Sequence, residues 1–175
     1  ADNSFNGATW VYTRSAGVWK QEAKLIGTGN IGTPSQGQSV SLSGDGNILA
    51  IGGPIDHGNI GATWIFTRSS GIWTQQTKLI GTGNTGTGFQ GQSVSLSRDG
   101  NTLAAGGSFD NGSTGAVWLF ERMNETWSQI GNKISGTTGG TGQFGRSVSL
   151  NANADTLAIG EYMAFGGSGL VEVYV

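Results

Sequence analysis

The side chains able to do acid–base, nucleophilic or metal chemistry are few in this sequence, and most of them recur at one spacing. His57 is the only histidine, and cysteine is absent. Zinc or copper would need several imidazoles or thiolates, so neither metal is expected. A Ser-His-Asp arrangement needs a base held against its nucleophile. His57 sits beside Asp56, but Asn111 takes its place in the next copy of the surrounding sequence, which marks the position as a solvated loop. Asp2, Asp56 and Asp110 are spaced 54 residues apart, and Ala164 breaks the series. Paired carboxylates can hydrolyse glycosides when they face each other across a cleft. Equivalent positions of successive repeats lie too far apart for that, so no catalytic residue is assigned. These aspartates are candidates for contacting a ligand, or for capping their loops through side-chain to backbone hydrogen bonds.

Two tryptophan series recur with the same spacing. Trp64 and Trp118 stand two residues before Phe66 and Phe120, and side chains two apart share one face of a strand, so these pairs are read as core. Trp19, Trp73 and Trp127 open an outer strand and join the aspartates as candidate ligand-binding residues. Arg14, Arg68 and Arg122 form a third series and are read as charges that keep an outer edge soluble.

These positions are held by a repeated sequence. GQSVSLSGDGNILAIGG at 37–53, GQSVSLSRDGNTLAAGG at 91–107 and GRSVSLNANADTLAIGE at 145–161 are three copies in one register. Each begins with a strand in which Val and Leu alternate with Ser. Asp-Gly-Asn then supplies a tight hairpin turn. A returning strand, a loop, a third strand such as Ala116–Arg122 and a fourth over about Thr126–Ile134 complete the unit. The linkers at 28–36 and 82–90 are rich in Gly and Thr, and no segment has helical spacing, so essentially no helix is expected. The reading is an all-β protein of β-propeller-type blades, with three 54-residue, four-stranded repeats and incomplete terminal blades. Strands three and four of one blade occupy 7–27, whole blades 37–81 and 91–135, and strands one to three of a last blade 145–175. A β-trefoil or β-prism is the alternative.

Composition narrows the partners. Charged residues make up 11% of the chain and the net charge is −2, so no basic surface is available for nucleic acid. No apolar run reaches the length of a membrane-spanning helix. The absence of an initiator Met and two acceptor tripeptides, Asn111-Gly112-Ser113 and Asn124-Glu125-Thr126, fit a secreted, extracellular protein.

The repeat resembles the FG-GAP type found in integrin-α-like β-propellers. Phe144-Gly145 carries the first dipeptide of that motif, while Gln36-Gly37 and Gln90-Gly91 lack its Phe; Ala50-Ile51-Gly52-Gly53 and Ala104-Ala105-Gly106-Gly107 correspond to the second signature. The resemblance implies a propeller blade and an interaction role. Many members bind calcium between strands one and two, but Gly44-Asp45-Gly46-Asn47 and Arg98-Asp99-Gly100-Asn101 offer one carboxylate each, too few for that ion. No cofactor or metal is expected. The function expected is a non-enzymatic extracellular binding or structural scaffold serving protein or matrix assembly, including a biomineral matrix, with a carbohydrate-binding lectin as the alternative. Expected partners are a second copy, through blade completion in a homodimer, another extracellular matrix protein, glycans, or a hydroxylated mineral surface.

Overall fold

The computed structural model describes residues 6–137 and 141–175, so Asp2 lies outside the described residues. The chain folds into four consecutive antiparallel sheets. β1 (Thr9–Ser15) and β2 (Val18–Leu25) form a two-stranded sheet. β3 (Ser39–Leu42), β4 (Ile48–Gly53), β5 (Ala62–Ser69) and β6 (Ile72–Leu79) form a four-stranded one in sequence order. β7 (Ser93–Leu96), β8 (Thr102–Gly107) and β9 (Ala116–Met123) repeat this order, with the fourth strand in two pieces, β10 (Thr126–Gln129) and β11 (Ile134–Ser135). β12 (Phe144–Leu150), β13 (Leu157–Glu161) and β14 (Leu170–Tyr174) make the last, three-stranded sheet.

The fold is thus all-β and built of antiparallel sheets in sequence order, as the alternation implies. The turns explain the strand boundaries. Asp45 Oδ1 accepts from Ser43 Oγ at 2.6 Å and from the Asn47 amide at 3.0 Å, and Asp99 does the same with Ser97 and Asn101. Ser70 and Gly71 both take positive φ, the conformation that a two-residue hairpin turn needs to match strand twist. Three one-turn segments, Asp56–Asn59, Asp110–Ser113 and Ala164–Gly167, were not foreseen. Each contains three residues of positive φ, so each is a tight loop between strands two and three that cannot extend as a helix.

Successive sheets pack face to face, and strand alternation divides each sheet between two neighbours. Leu49, Ile51, Trp64 and Phe66 face back onto β1 and β2, where they meet Val11 and Leu25. Ile48, Ala50 and Ile65 face forward onto Val94, Leu96, Leu103, Trp118 and Phe120. Ala104 and Val117 face forward onto Phe144, Leu157 and Ile159. At the inner edge the approach is closer than side chains allow. The Gly91 carbonyl lies against Gly52 and the Gly145 carbonyl against Gly106, each also accepting from a serine of the preceding sheet, Ser39 Oγ at 2.7 Å and Ser93 Oγ at 2.9 Å. A methyl group on Gly106 would overlap the Gly145 carbonyl. Gly106→Ala is therefore expected to destabilise the protein by about 1–3 kcal/mol, the usual cost of overpacking. Urea unfolding checks it, and Gly112→Ala, with open space around its Cβ position, gives the cost of left-handed φ alone.

Candidate functional site

The aspartate series belongs to a buried linkage between sheets. Asp56 is fully buried; its Oδ1 accepts from the Ile31 amide at 2.8 Å, and Lys78 Nζ lies 2.6 Å from its Oδ2. Lys78 also donates to the Gly29 carbonyl at 2.8 Å and stands 5.2 Å from the centre of the Trp64 ring. Trp64 in turn donates to the Thr28 carbonyl at 2.8 Å and lies over Gly27, where a Cβ would strike the indole. Gln36 clamps that glycine from the other side, accepting from its amide at 2.5 Å and donating to its carbonyl at 2.8 Å. The next junction repeats the arrangement: Asp110 with the Thr85 amide and Lys133, Trp118 with Gly81 and Thr82, Gln90 with Gly81. Asp56 and Asp110 therefore tie a linker to the following sheet and offer no oxygen to a solvent-borne ligand. This replaces the ligand-contact reading at both positions. His57 beside them is exposed on its loop, with φ of +51°.

The lysines were not singled out from sequence because the 54-residue register hides them. Lys78 projects onto Asn132, whereas the partner of Asp110 is Lys133. One extra residue interrupts the fourth strand between β10 and β11, and the linker that follows is one residue shorter, which restores the spacing.

The outer tryptophans are structural wherever a sheet precedes them. Trp127 Nε1 donates to Gln76 Oε1 at 3.0 Å across the junction. Arg68 lies 5.5 Å from the centre of the Trp73 ring and pairs with Glu22 of the preceding sheet at 2.9 Å. Arg68 and Arg122 thus bridge sheets as well as flank hairpins, Arg122 through Gln76 Oε1 at 3.2 Å. Trp19, in the first sheet, is exposed.

A different set of residues converges on solvent. The first hairpin turns of the last three sheets meet at the inner edge, where the Gly44 amide donates to the Arg98 carbonyl at 2.7 Å and the Arg98 amide to the Ala152 carbonyl at 3.0 Å. They surround an open cavity of about 600 Å³ lined by Gly44, Asp45, Arg98, Asp99, Ala152 and Asn153. Hydrogen bonds from the Ser43 hydroxyl and then from Asn47 lower the Asp45 carboxyl to a pKa of about 2, and those from Ser97 and Asn101 lower Asp99. Both carboxylates are ionised at neutral pH, with their oxygens directed into their own turns. Arg98 is the one cation among the lining residues. Its stem lies over Gly44, where a Cβ would fall 2.5 Å from Arg98 Cγ, and no ion pair engages its guanidinium among the described residues. Sequence reasoning assigns Arg98 no role beyond the turn; the available signal is its difference from Gly44 in two turns that otherwise match. No group of three or more potential metal ligands occurs among the described residues. None of their helices is long and apolar enough to cross a membrane.

This architecture is that of propeller-type proteins. One similar structure is described as "a putative 6-phosphogluconolactonase" from Bacteroides fragilis, with a TM-score of 0.55 and 16% identity over 77% of this chain and 35% of that one. A second, with the same description, comes from Bacteroides uniformis, with a TM-score of 0.56 and 16% identity over 95% of this chain and 46% of that one. TolB from Acinetobacter baumannii is a more distant neighbour, with a TM-score of 0.44 and 16% identity over 78% of this chain and 29% of that one. The chain thus spans less than half the length of each. No protein-family profile and no curated protein matches it. None of these three neighbours is described as an FG-GAP protein. The two lactonase-like structures overturn the expectation of a non-enzymatic binding or structural scaffold, with a lectin as its alternative, because the fold is one shared with proteins described as putative 6-phosphogluconolactonases.

Two outcomes follow from the charges. Lys78→Met leaves a buried carboxylate without its cation and is expected to cost about 3–5 kcal/mol, part of which Asp56→Asn in the same chain should restore; a denaturant series on the two variants and the double variant measures this. Because the folded Asp45 carboxyl lies below its ordinary value of 3.8, its turn contributes full stability above about pH 4 and loses it as pH falls toward 2. Asp45→Asn should flatten that part of the acid-unfolding profile.

Proposed function

We propose that the protein binds and hydrolyses a small hydroxylated ester of the sugar-lactone class at the mouth formed by the three inner turns. The observation that carries this reading is the placement of Arg98, whose stem lies over Gly44 at an open cavity and whose guanidinium has no ion-pair partner among the described residues. A guanidinium presents several N–H donors in a fixed fork and suits a phosphate, a carboxylate or the oxyanion of an opening ester. The likeness to two structures described as putative 6-phosphogluconolactonases supports the substrate class.

The chemistry asked of the site is modest. Water adds to the lactone carbonyl carbon, the ring C–O bond breaks, and a hydroxyl and a carboxylate result with release of one proton at neutral pH. Arg98 stabilises the negative charge as it develops on the carbonyl oxygen. Exposed turn groups, including the Asn153 side chain, offer hydrogen bonds to the sugar hydroxyls.

Proton release from 6-phosphogluconolactone, followed at constant pH, tests this. The protein should raise the rate above that of buffer. Arg98→Gln should lower it by about 100-fold, the usual loss when an oxyanion donor is removed, with an unchanged unfolding curve. A folded protein that leaves the buffer rate unchanged overturns the reading.

A further inference from the structure

The first two junctions between sheets each bury an arginine, and they differ in what neutralises it. Arg68 of β5 and Arg122 of β9 occupy equivalent positions, and their side chains are 22% and 17% exposed. A guanidinium keeps its charge at any pH a folded protein meets, so burying one this far calls for a close anion. At the junction of the first and second sheets Glu22 of β2 supplies it. Both carboxylate oxygens accept from Arg68 Nη1, at 3.1 and 2.9 Å, while Arg68 Nε donates to Asn47 Oδ1 at 3.0 Å.

At the junction of the second and third sheets the residue equivalent to Glu22 is Gln76. An amide has one acceptor oxygen and no charge. That oxygen is shared by Arg122 Nε at 3.2 Å and Trp127 Nε1 at 3.0 Å, and the amide nitrogen donates to the Glu125 carbonyl at 3.0 Å. Among the described residues the carboxylate that comes nearest to the Nη end of Arg122 is that of Glu125, 3.9 Å from Nη2 and 85% exposed, too far for a hydrogen bond. Arg122 also lines an open cavity of about 430 Å³ between the two sheets, together with Asp45, Arg68, Gln76 and Glu125.

We propose that this cavity binds a small carboxylate, whose two oxygens accept from the Nη end of Arg122 as those of Glu22 accept from Arg68. The neighbouring junction sets the chemistry, since the anion that serves the equivalent arginine there is a carboxylate. A planar pair of oxygens meets two parallel guanidinium N–H groups, which a spherical ion cannot do. Gln76 keeps its place on Nε, so no internal contact has to break. The surroundings also limit the charge of the ligand. Asp45 holds a negative charge within its turn, through Ser43 and Asn47, Glu125 brings a second, and the charge of Arg68 is already met by Glu22. A ligand with one negative charge fits; a dianion such as phosphate or succinate is repelled. Arg98 takes no part, and the inference does not depend on lactone hydrolysis.

An NMR titration with sodium acetate, read at the Trp127 indole N–H and the Arg122 Nε–H, tests it, with sodium chloride at equal ionic strength as control. Acetate should shift both signals saturably; chloride and phosphate should not. Gln76→Glu supplies the carboxylate from within the chain, and the variant should keep the parent's stability toward urea and lose the acetate response. Arg122→Gln should weaken binding by about 10-fold or more, the worth of a hydrogen bond to a charged group. Glu125→Gln, at an exposed side chain, removes a repelling charge and should tighten it. A shift that does not saturate, an equal response to phosphate or chloride, a destabilised Gln76→Glu, a response undiminished in Gln76→Glu or Arg122→Gln, or one not strengthened in Glu125→Gln overturns the proposal.

Discussion

The interaction on which the rest of the structure depends is the seating of an indole on a glycine across each junction between sheets. Trp64 on Gly27 and Trp118 on Gly81 are buried completely, and each needs a backbone with no side chain beneath it. Burial of such a ring contributes about 3–5 kcal/mol by the cost of removing it. The ring also organises its surroundings. Its Nε1–H must find an acceptor, which it does in the linker carbonyl of Thr28 or Thr82. Its face attracts a lysine ammonium, and that ammonium neutralises an aspartate no exposed cation could reach. The aspartate then holds the linker amide that brings the chain to the next sheet. Fold and connectivity are thus fixed by one chain of contacts, each made necessary by the one before.

The third junction shows what happens when members of that chain are replaced together. Phe144 stands where Gln36 and Gln90 clamp their glycines, Ala164 where the aspartate would be, and Glu172 where the tryptophan would be. With no indole, Phe144, which is fully buried, and Glu161 Oε1 lie against Gly136, and Glu172 accepts from Thr137 Oγ1 at 3.0 Å and from the Tyr174 hydroxyl at 2.7 Å. Apolar packing thus takes over part of what a polar clamp does elsewhere.

The strand order, the hairpin turns and the burial of Trp64 and Trp118 were legible in the sequence. They rest on alternation and on Asp-Gly-Asn turns, which are local. The role of Asp56 and Asp110 was not, because burial depends on the sheet that arrives from elsewhere. A carboxylate flanked by Ile55 and His57 on a loop looks solvated until Lys78 and the Ile31 amide close over it. The split between β10 and β11 escaped for another reason: an added and a lost residue cancel within one repeat, so the 54-residue period survives a local shift. The cavity was illegible because no single copy contains it. It exists only where three turns from three sheets meet.

That last point bears on where function can reside in a repeated fold. A residue that recurs from copy to copy is explained by what each junction needs, and Asp56, Asp110, Trp73, Trp127, Arg68 and Arg122 find such explanations here. A residue that breaks the repeat at a place where copies converge has no structural duty to the repeat. Arg98 is such a residue. Gly44 and Ala152, at the same position, serve the turn ladder equally well through their backbones. What the arginine adds is charge and reach, and Gly44 leaves the space that its stem occupies. Function in this molecule is therefore to be sought in its departures from symmetry, with the symmetric residues holding those departures in place.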